Sequence, residues 1–188
     1  MSKIAVNRVT NANVYMDGRT LLGRAEEVDL PQVKHKMAEH KALGMIGASE
    51  FFAGVEKMEC KIKWTSFYPE VLRAAADPFK AVRLQLRASL ETYTGQGRVA
   101  ETAVMVSLTA AFKDFPLGSF KQHEAVFKDF PLGSFKQHEA VSPESNLAVH
   151  YAKLEIGGQE IFELDVMENI YKVAGADVLA RYRFNIGG

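Results

Sequence analysis

Histidine, cysteine and carboxylate side chains are the groups through which a chain of this composition would bind metal or move protons, and here they are scattered. The histidines are His35, His40, His123, His138 and His150. His35 and His40 are five apart, which on a strand places them on opposite faces, and no metal-ligand spacing links the others. They read as solvated polar residues. The single cysteine, Cys60, sits in "KMECKIKW" at an alternating apolar position, where a small buried hydrophobe is expected. One cysteine forms no internal disulfide. The acidic residues Glu26, Glu27, Glu163 and Asp165 suit surface and strand-edge positions, and no carboxylate pair for acid–base work stands out. The phosphate-cradling GxxxxGK[ST], the dinucleotide GxGxxG, and HExxH, CxxC and GxSxG are all missing. No catalytic, cofactor or metal site is expected, and nothing requires an enzyme.

The elements that hold these residues are mostly strands. In "AVRLQLRASLE", Val82, Leu84, Leu86, Ala88 and Leu90 alternate with Arg83, Gln85, Arg87, Ser89 and Glu91. That period of two marks a strand with one apolar and one charged face. "TGQG" at 94–97 marks a turn, and "RVAETAVMVSLTAAF" runs back as the second arm of a long hairpin. "KMECKIKW" sets Met58, Cys60, Ile62 and Trp64 against Lys57, Glu59, Lys61 and Lys63. Asp17-Gly18 and Gly157-Gly158 each sit between short strand patterns and predict tight hairpins. "LPQVKHKMAEHKAL", from Leu30, reads as a further strand, with a helix as the alternative. "YPEVLRAAAD" predicts a helix opening at Pro69, and "GADVLARYRF" a second one with Asp177 as N-cap. "GMIGASEFFAG", Gly44 to Gly54, reads as a long apolar connection docked against something else.

The 188 residues suit one domain spanning 1–188, and 47% hydrophobic content supports a sizeable core. Twenty-three Lys plus Arg balance 23 Asp plus Glu, so no basic surplus advertises a nucleic-acid partner. No signal peptide or membrane-length apolar run is present. The expected class is mainly β, an antiparallel sandwich or barrel with long hairpins and one or two short helices. Such a chain has three uses: a ligand inside a monomeric barrel, single-stranded nucleic acid on an aromatic and basic sheet, or assembly with copies of itself. The second lacks aromatics beside the cations around Arg83. The third suits long edges and an exposed apolar connection.

Residues 112–126, "FKDFPLGSFKQHEAV", are repeated without mismatch at 127–141. Two copies are too few to stack into a repeat core, and nothing else shares the period. The block reads as a tandem duplication at a hairpin tip, where added residues are tolerated, with Pro116-Leu117-Gly118 as the turn of its first copy.

An ordered set of stretches resembles a known family. "NANVYMDG", with Asn13 to Gly18 in its hairpin, then Leu30-Pro31-Gln32 and Gly44-Met45, look like the opening of the tail tube proteins of contractile-tailed bacteriophages and R-type pyocins. "YAKLEIGGQEIFELD" and "GADVLARYRFNIG" look like that family's late hairpin and closing helix, so the resemblance covers nearly the whole chain. It implies a virion protein that forms stacked hexameric rings, the subunits lending hairpins to a continuous β-barrel. It further implies a sheath partner that drives the tube through the target envelope, baseplate and tape-measure partners, non-specific passage of DNA through the lumen, and no membrane anchor. The tube of a related secretion or injection system would share the fold. On this resemblance Lys57, Glu59, Lys61, Lys63, Arg83, Gln85, Arg87 and Glu91 are candidates to face the lumen. Gly44, Met45, Ile46, Phe51 and Phe52 are candidates for contact between subunits. Bare cations would hold DNA phosphates too tightly for a conduit, so the lumen assignment requires neighbouring carboxylates.

Overall fold

The computed structural model describes residues 4–115 and 143–187. The chain runs β1 (Val6–Met16), β2 (Arg19–Thr20), β3 (Ala25–Asp29), β4 (His35–His40), β5 (Ser49–Val55), β6 (Met58–Trp64), α1 (Pro69–Ala75), β7 (Ala81–Thr94), β8 (Gly97–Phe112), β9 (Glu144–Ile156), β10 (Gln159–Asp165), β11 (Ile170–Val173), β12 (Ala176–Asp177) and α2 (Ala180–Asn185). It is mainly β, with antiparallel pairing throughout and two short helices, as the alternating patterns predict.

The hairpin turns follow from local chemistry. Asp17 and Gly18 both take positive φ, +48° and +80°, as do Gly157 and Gly158 at +60° and +77°. Two successive positive-φ residues give the turn whose twist matches the paired strands. At Gly157 a Cβ would also meet Thr102 Cγ2 at 3.0 Å, so glycine is required there on two counts.

The main sheet is ordered β12-β11-β10-β9-β8-β7-β1-β2, with β6 also on β9 and β3 on β6. A bulge makes this branch. Thr109 pairs with Tyr151 and Ala110 with Val149, which leaves His150 as the extra residue on β9. Before the bulge the free edge of β9 pairs with β6, Lys63↔Glu144 to Met58↔Val149. After it the same edge pairs with β10. The β6 branch and α1 contribute to one core with the main sheet: Leu21, Ile62, Trp64, Val71, Val82, Leu84, Leu108 and Leu147 are each at most 2% exposed. Trp64 Nε1 donates to Ser145 Oγ at 3.0 Å, so the buried hydroxyl and the buried indole satisfy each other. Cys60 lies in this core, and burial pushes its thiol up to about 11, as expected of an inert hydrophobe.

Two expectations change. Gly44–Gly54 is not one long loop: β5 occupies Ser49–Val55 and pairs with β4 as a separate two-stranded ribbon. Its alternation was hidden because Phe51 and Phe52 are adjacent and both apolar. The second helix starts at Ala180 rather than directly after Asp177. Asp177 is instead in β12, where its carboxylate accepts from Leu179 N at 3.0 Å and pairs with Arg183. It caps a turn ahead of the helix. The duplicated segment, beyond its first few residues, lies outside the described residues, together with His123, His138 and the expected Pro116-Leu117-Gly118 turn. The strand ends flanking it are neighbours: Phe112 pairs with Leu147, and Lys113 N donates to Asn146 O at 2.9 Å.

Candidate assembly surfaces

Strand register turns the alternation into surfaces. Directly opposed residues share a face, so a row can be followed from strand to strand. Tyr15, Gln85, Ser107, Lys153, Glu163, Lys172 and Asp177 form one polar row across β1, β7, β8, β9, β10, β11 and β12. The next row is Val14, Leu86, Val106, Leu154, Phe162, Val173 and Ala176, apolar throughout. The sheet therefore presents one polar face and one apolar face over its whole width.

Several charges on the polar face are matched. Lys153 Nζ lies 3.0 Å from Glu155 and 3.3 Å from Glu160, and both raise its pKa. Lys172 reaches Glu163 at 2.7 Å and holds that carboxyl below the usual range. Tyr151 donates to Glu163 at 3.0 Å, and burial, aided by that bond, pushes its phenol up to about 12. Arg98 pairs with Glu91 at 2.7 Å. The hydroxyl of Tyr93 donates to Glu91 at 2.7 Å, and these two bonds lower the Glu91 pKa.

The lumen candidates on β7 all lie on this face. Arg87 stacks over the Tyr15 ring at 4.7 Å and donates to Gln85 at 2.9 Å. Glu91 is paired as above, while Arg83 has no side-chain partner among the described residues. The candidates on β6 also point away from the core, but β9 and β8 separate them from β7. There Glu59 takes Lys113 at 2.8 Å and Lys57 at 2.9 Å, hydrogen bonds that bring its pKa down to about 2. Lys61 meets Glu144 at 2.6 Å and Lys63 meets Glu26 at 3.1 Å. The structure thus assigns the two groups to separate branches of one sheet. Sequence reading missed Tyr151, Lys153, Glu155 and Glu160, although the alternation in "YAKLEIGGQE" carried the signal, and it missed Lys172 of β11.

The contact candidates occupy the β4–β5 ribbon. Ile46 is fully exposed, and Phe51 and Phe52 are 58% and 47% exposed. Because they are adjacent strand residues, Phe51 and Phe52 face opposite ways, Phe51 toward His40 and Phe52 toward His35. His35 Nε2 lies 3.1 Å from the Tyr171 hydroxyl, a tie between the ribbon base and β11. Among the described residues no group of His, Cys, Asp and Glu is placed to hold a metal ion, and no helix is long and apolar enough to cross a membrane.

A polar-faced sheet and a projecting apolar ribbon define a class: β proteins whose surfaces are built for assembly. The chain matches the family model described as phage tail tube protein FII over residues 6–126 and 124–187. It is 27% identical over 181 residues to the tail tube protein of Escherichia phage P2, covering 93% of this chain and 94% of that one. The chain belongs to the phage tail tube protein family, and is a structural component of the virion tail.

Proposed function

We propose that copies of this chain form hexameric rings that stack into the inner tube of a contractile tail, a conduit for DNA and a rod driven by a surrounding sheath. The role is mechanical rather than enzymatic. The observation that carries the reading is the polar face spanning seven strands, with several of its charges matched. A conduit for a polyanion needs a hydrated wall whose cations are already engaged, since free Lys and Arg bind phosphate without sequence preference. Lys153, Lys172 and Arg98 are all engaged by carboxylates. Sharing this face supports a lumenal place for the β7 candidates Gln85 and Glu91; Arg83 and Arg87 are assigned there with them by strand alternation, although neither meets a carboxylate among the described residues and each would hold phosphate. Lys57, Glu59, Lys61 and Lys63 are assigned to the lumen with them, as the far branch of the same wall.

Ring closure follows from open edges. The first half of β1, Val6 to Thr10, pairs with β7 on one side, whereas β2 covers only Tyr15 and Met16 on the other. Open backbone edges of this kind pair with a neighbour, and a barrel is the arrangement that removes them. Gly44, Met45, Ile46, Phe51 and Phe52, on the ribbon, serve contact between subunits. The whole chain acts as a single tube domain with the second repeat copy as an insertion. The two stretches matched by the family model meet at residues 124–126, the junction of the copies, which supports a duplication at this point.

Negative-stain electron microscopy of the purified protein at high concentration tests the reading. Hollow tubes or stacked rings are expected. Compact monomers at every salt concentration, for both the full chain and a deletion of 127–141, would overturn it.

A further inference from the structure

Among the described residues, glutamates face each other directly across strands three times: Glu91↔Glu101, Glu155↔Glu160 and Glu39↔Glu50. Like charges so placed repel and destabilise the pairing. Two of the three pairs are bridged by a cation. Arg98 lies 2.7 Å from Glu91 and 3.5 Å from Glu101, and Lys153 lies 3.0 Å from Glu155 and 3.3 Å from Glu160. The third pair, on the β4–β5 ribbon, has no bridge: neither Glu39 nor Glu50 has a side-chain partner, and Lys36 and Lys41 on the same ribbon do not engage them.

The complementary imbalance lies elsewhere. A cavity of about 360 Å³ between α1 and the β1–β2 turn is lined by Arg19, Arg73 and Lys80. None of these three has an ion-pair partner among the described residues. Of the two carboxylates at the same cavity, Glu70 is paired with Arg24, while Asp17 accepts from the backbone N–H of Arg83 at 2.9 Å and keeps its charge. Three cations against one unpaired carboxylate leave the lining cationic.

We infer that the ribbon of one copy inserts its Glu39–Glu50 pair into the Arg19–Arg73–Lys80 cavity of the next copy. Connectivity makes this contact head-to-tail. Asp29 pairs with Lys61 at one end of the β3–β6 pair and Ala25 with Trp64 at the other. The ribbon leaves after Asp29 and returns before Met58, while Arg19 precedes Ala25 and α1 follows Trp64. Donor and receptor therefore attach at opposite ends, and a contact between unlike surfaces links each copy to the next instead of pairing two copies symmetrically. The apolar Met37 and Phe52, neighbours of the acid pair on the same ribbon face, supply the surface that excludes water around the charges and so strengthens them.

The inference rests on the tube reading but is separable from it by experiment. In the full chain, Glu39→Lys with Glu50→Lys, and separately Arg73→Glu with Lys80→Glu, are expected to raise the concentration needed for sedimenting assembly by about tenfold or more. Combining all four substitutions restores assembly, with circular dichroism checking that each variant is folded. Folded single-side variants that assemble like the parent, or a combination that gives no recovery, would overturn the contact. A second variant, Glu50→Cys with Arg73→Cys, is expected to give a ladder of interchain disulfides under mild oxidation, with buried Cys60 as a silent background. Tubes without a ladder sink the contact and leave the tube reading standing. A ladder without tubes does the reverse, and neither tubes nor ladder removes both.

Discussion

The β6 end of the molecule and the β4–β5 ribbon are neighbours in sequence and opposites in physics. Met58, Cys60, Ile62 and Trp64 are each at most 2% exposed, and they share one core cluster with Leu21 and with Val71 of α1. The six residues of β4 are all exposed, and so are the first five of β5. A two-stranded ribbon is marginal by itself in water, and among the described residues this one is tied down at its base, by His35 to Tyr171 and by Val55 against the core. One region is stabilised within the subunit. The other presents exposed apolar side chains, and an acid pair, Glu39 and Glu50, without a side-chain partner among the described residues. If the ribbon makes the proposed contact between subunits, stability and assembly belong to separate stretches of chain, and substitutions should separate them.

The sharpest test of that division is Trp64→Ala. It removes the largest fully buried side chain and strands the Ser145 hydroxyl. A loss of ~3–5 kcal/mol in urea unfolding of the monomer is expected; a loss under about 1 kcal/mol would mean that the β6 end is not the stabilising region. Next comes Gly157→Ala. Positive φ and the 3.0 Å approach of Thr102 act together, so a loss of about 1–2 kcal/mol is expected, read by the same melt. An unchanged midpoint would show that the β9–β10 turn relaxes freely.

Charge on β6 gives a smaller, pH-dependent effect. Lys113 and Lys57 depress Glu59 from 4.5 to about 2. A carboxyl depressed in the folded state contributes stability above its unfolded value, and loses it as pH falls toward the folded one. The contribution of this clamp is therefore complete above about 4.5 and fades down to about 2. A carboxyl-carbon NMR titration of Glu59 with a midpoint near 4.5 would remove the clamp from the comparison. The smallest effect on the monomer belongs to the ribbon. Ile46→Ser with Phe51→Ser should leave unfolding within about 0.5 kcal/mol of the parent, because both side chains already face water. The same variant should fail to sediment as tubes. Normal tubes would return those residues to an idle surface.

Much of this was legible in sequence because the deciding forces are local. Period-two alternation states which side chains share a face, so the apolar rows of β6 and β7 were readable from "KMECKIKW" and "AVRLQLRASLE". Asp17-Gly18 and Gly157-Gly158 fixed their own turns through positive φ. The missing catalytic motifs and the duplicated block are equally matters of sequence alone. Alternation does not say which strand lies alongside which. Only the folded chain decided that the bulge at His150 hands one edge of β9 from β6 to β10. That choice sets the two groups of lumen candidates on different branches of the sheet. Only pairing register brought Lys153 to Glu160 and Arg98 to Glu91, while leaving Glu39 opposite Glu50 without a cation. These are contacts between residues distant in sequence or on opposed strands, and their energies arise once the backbone has placed them together.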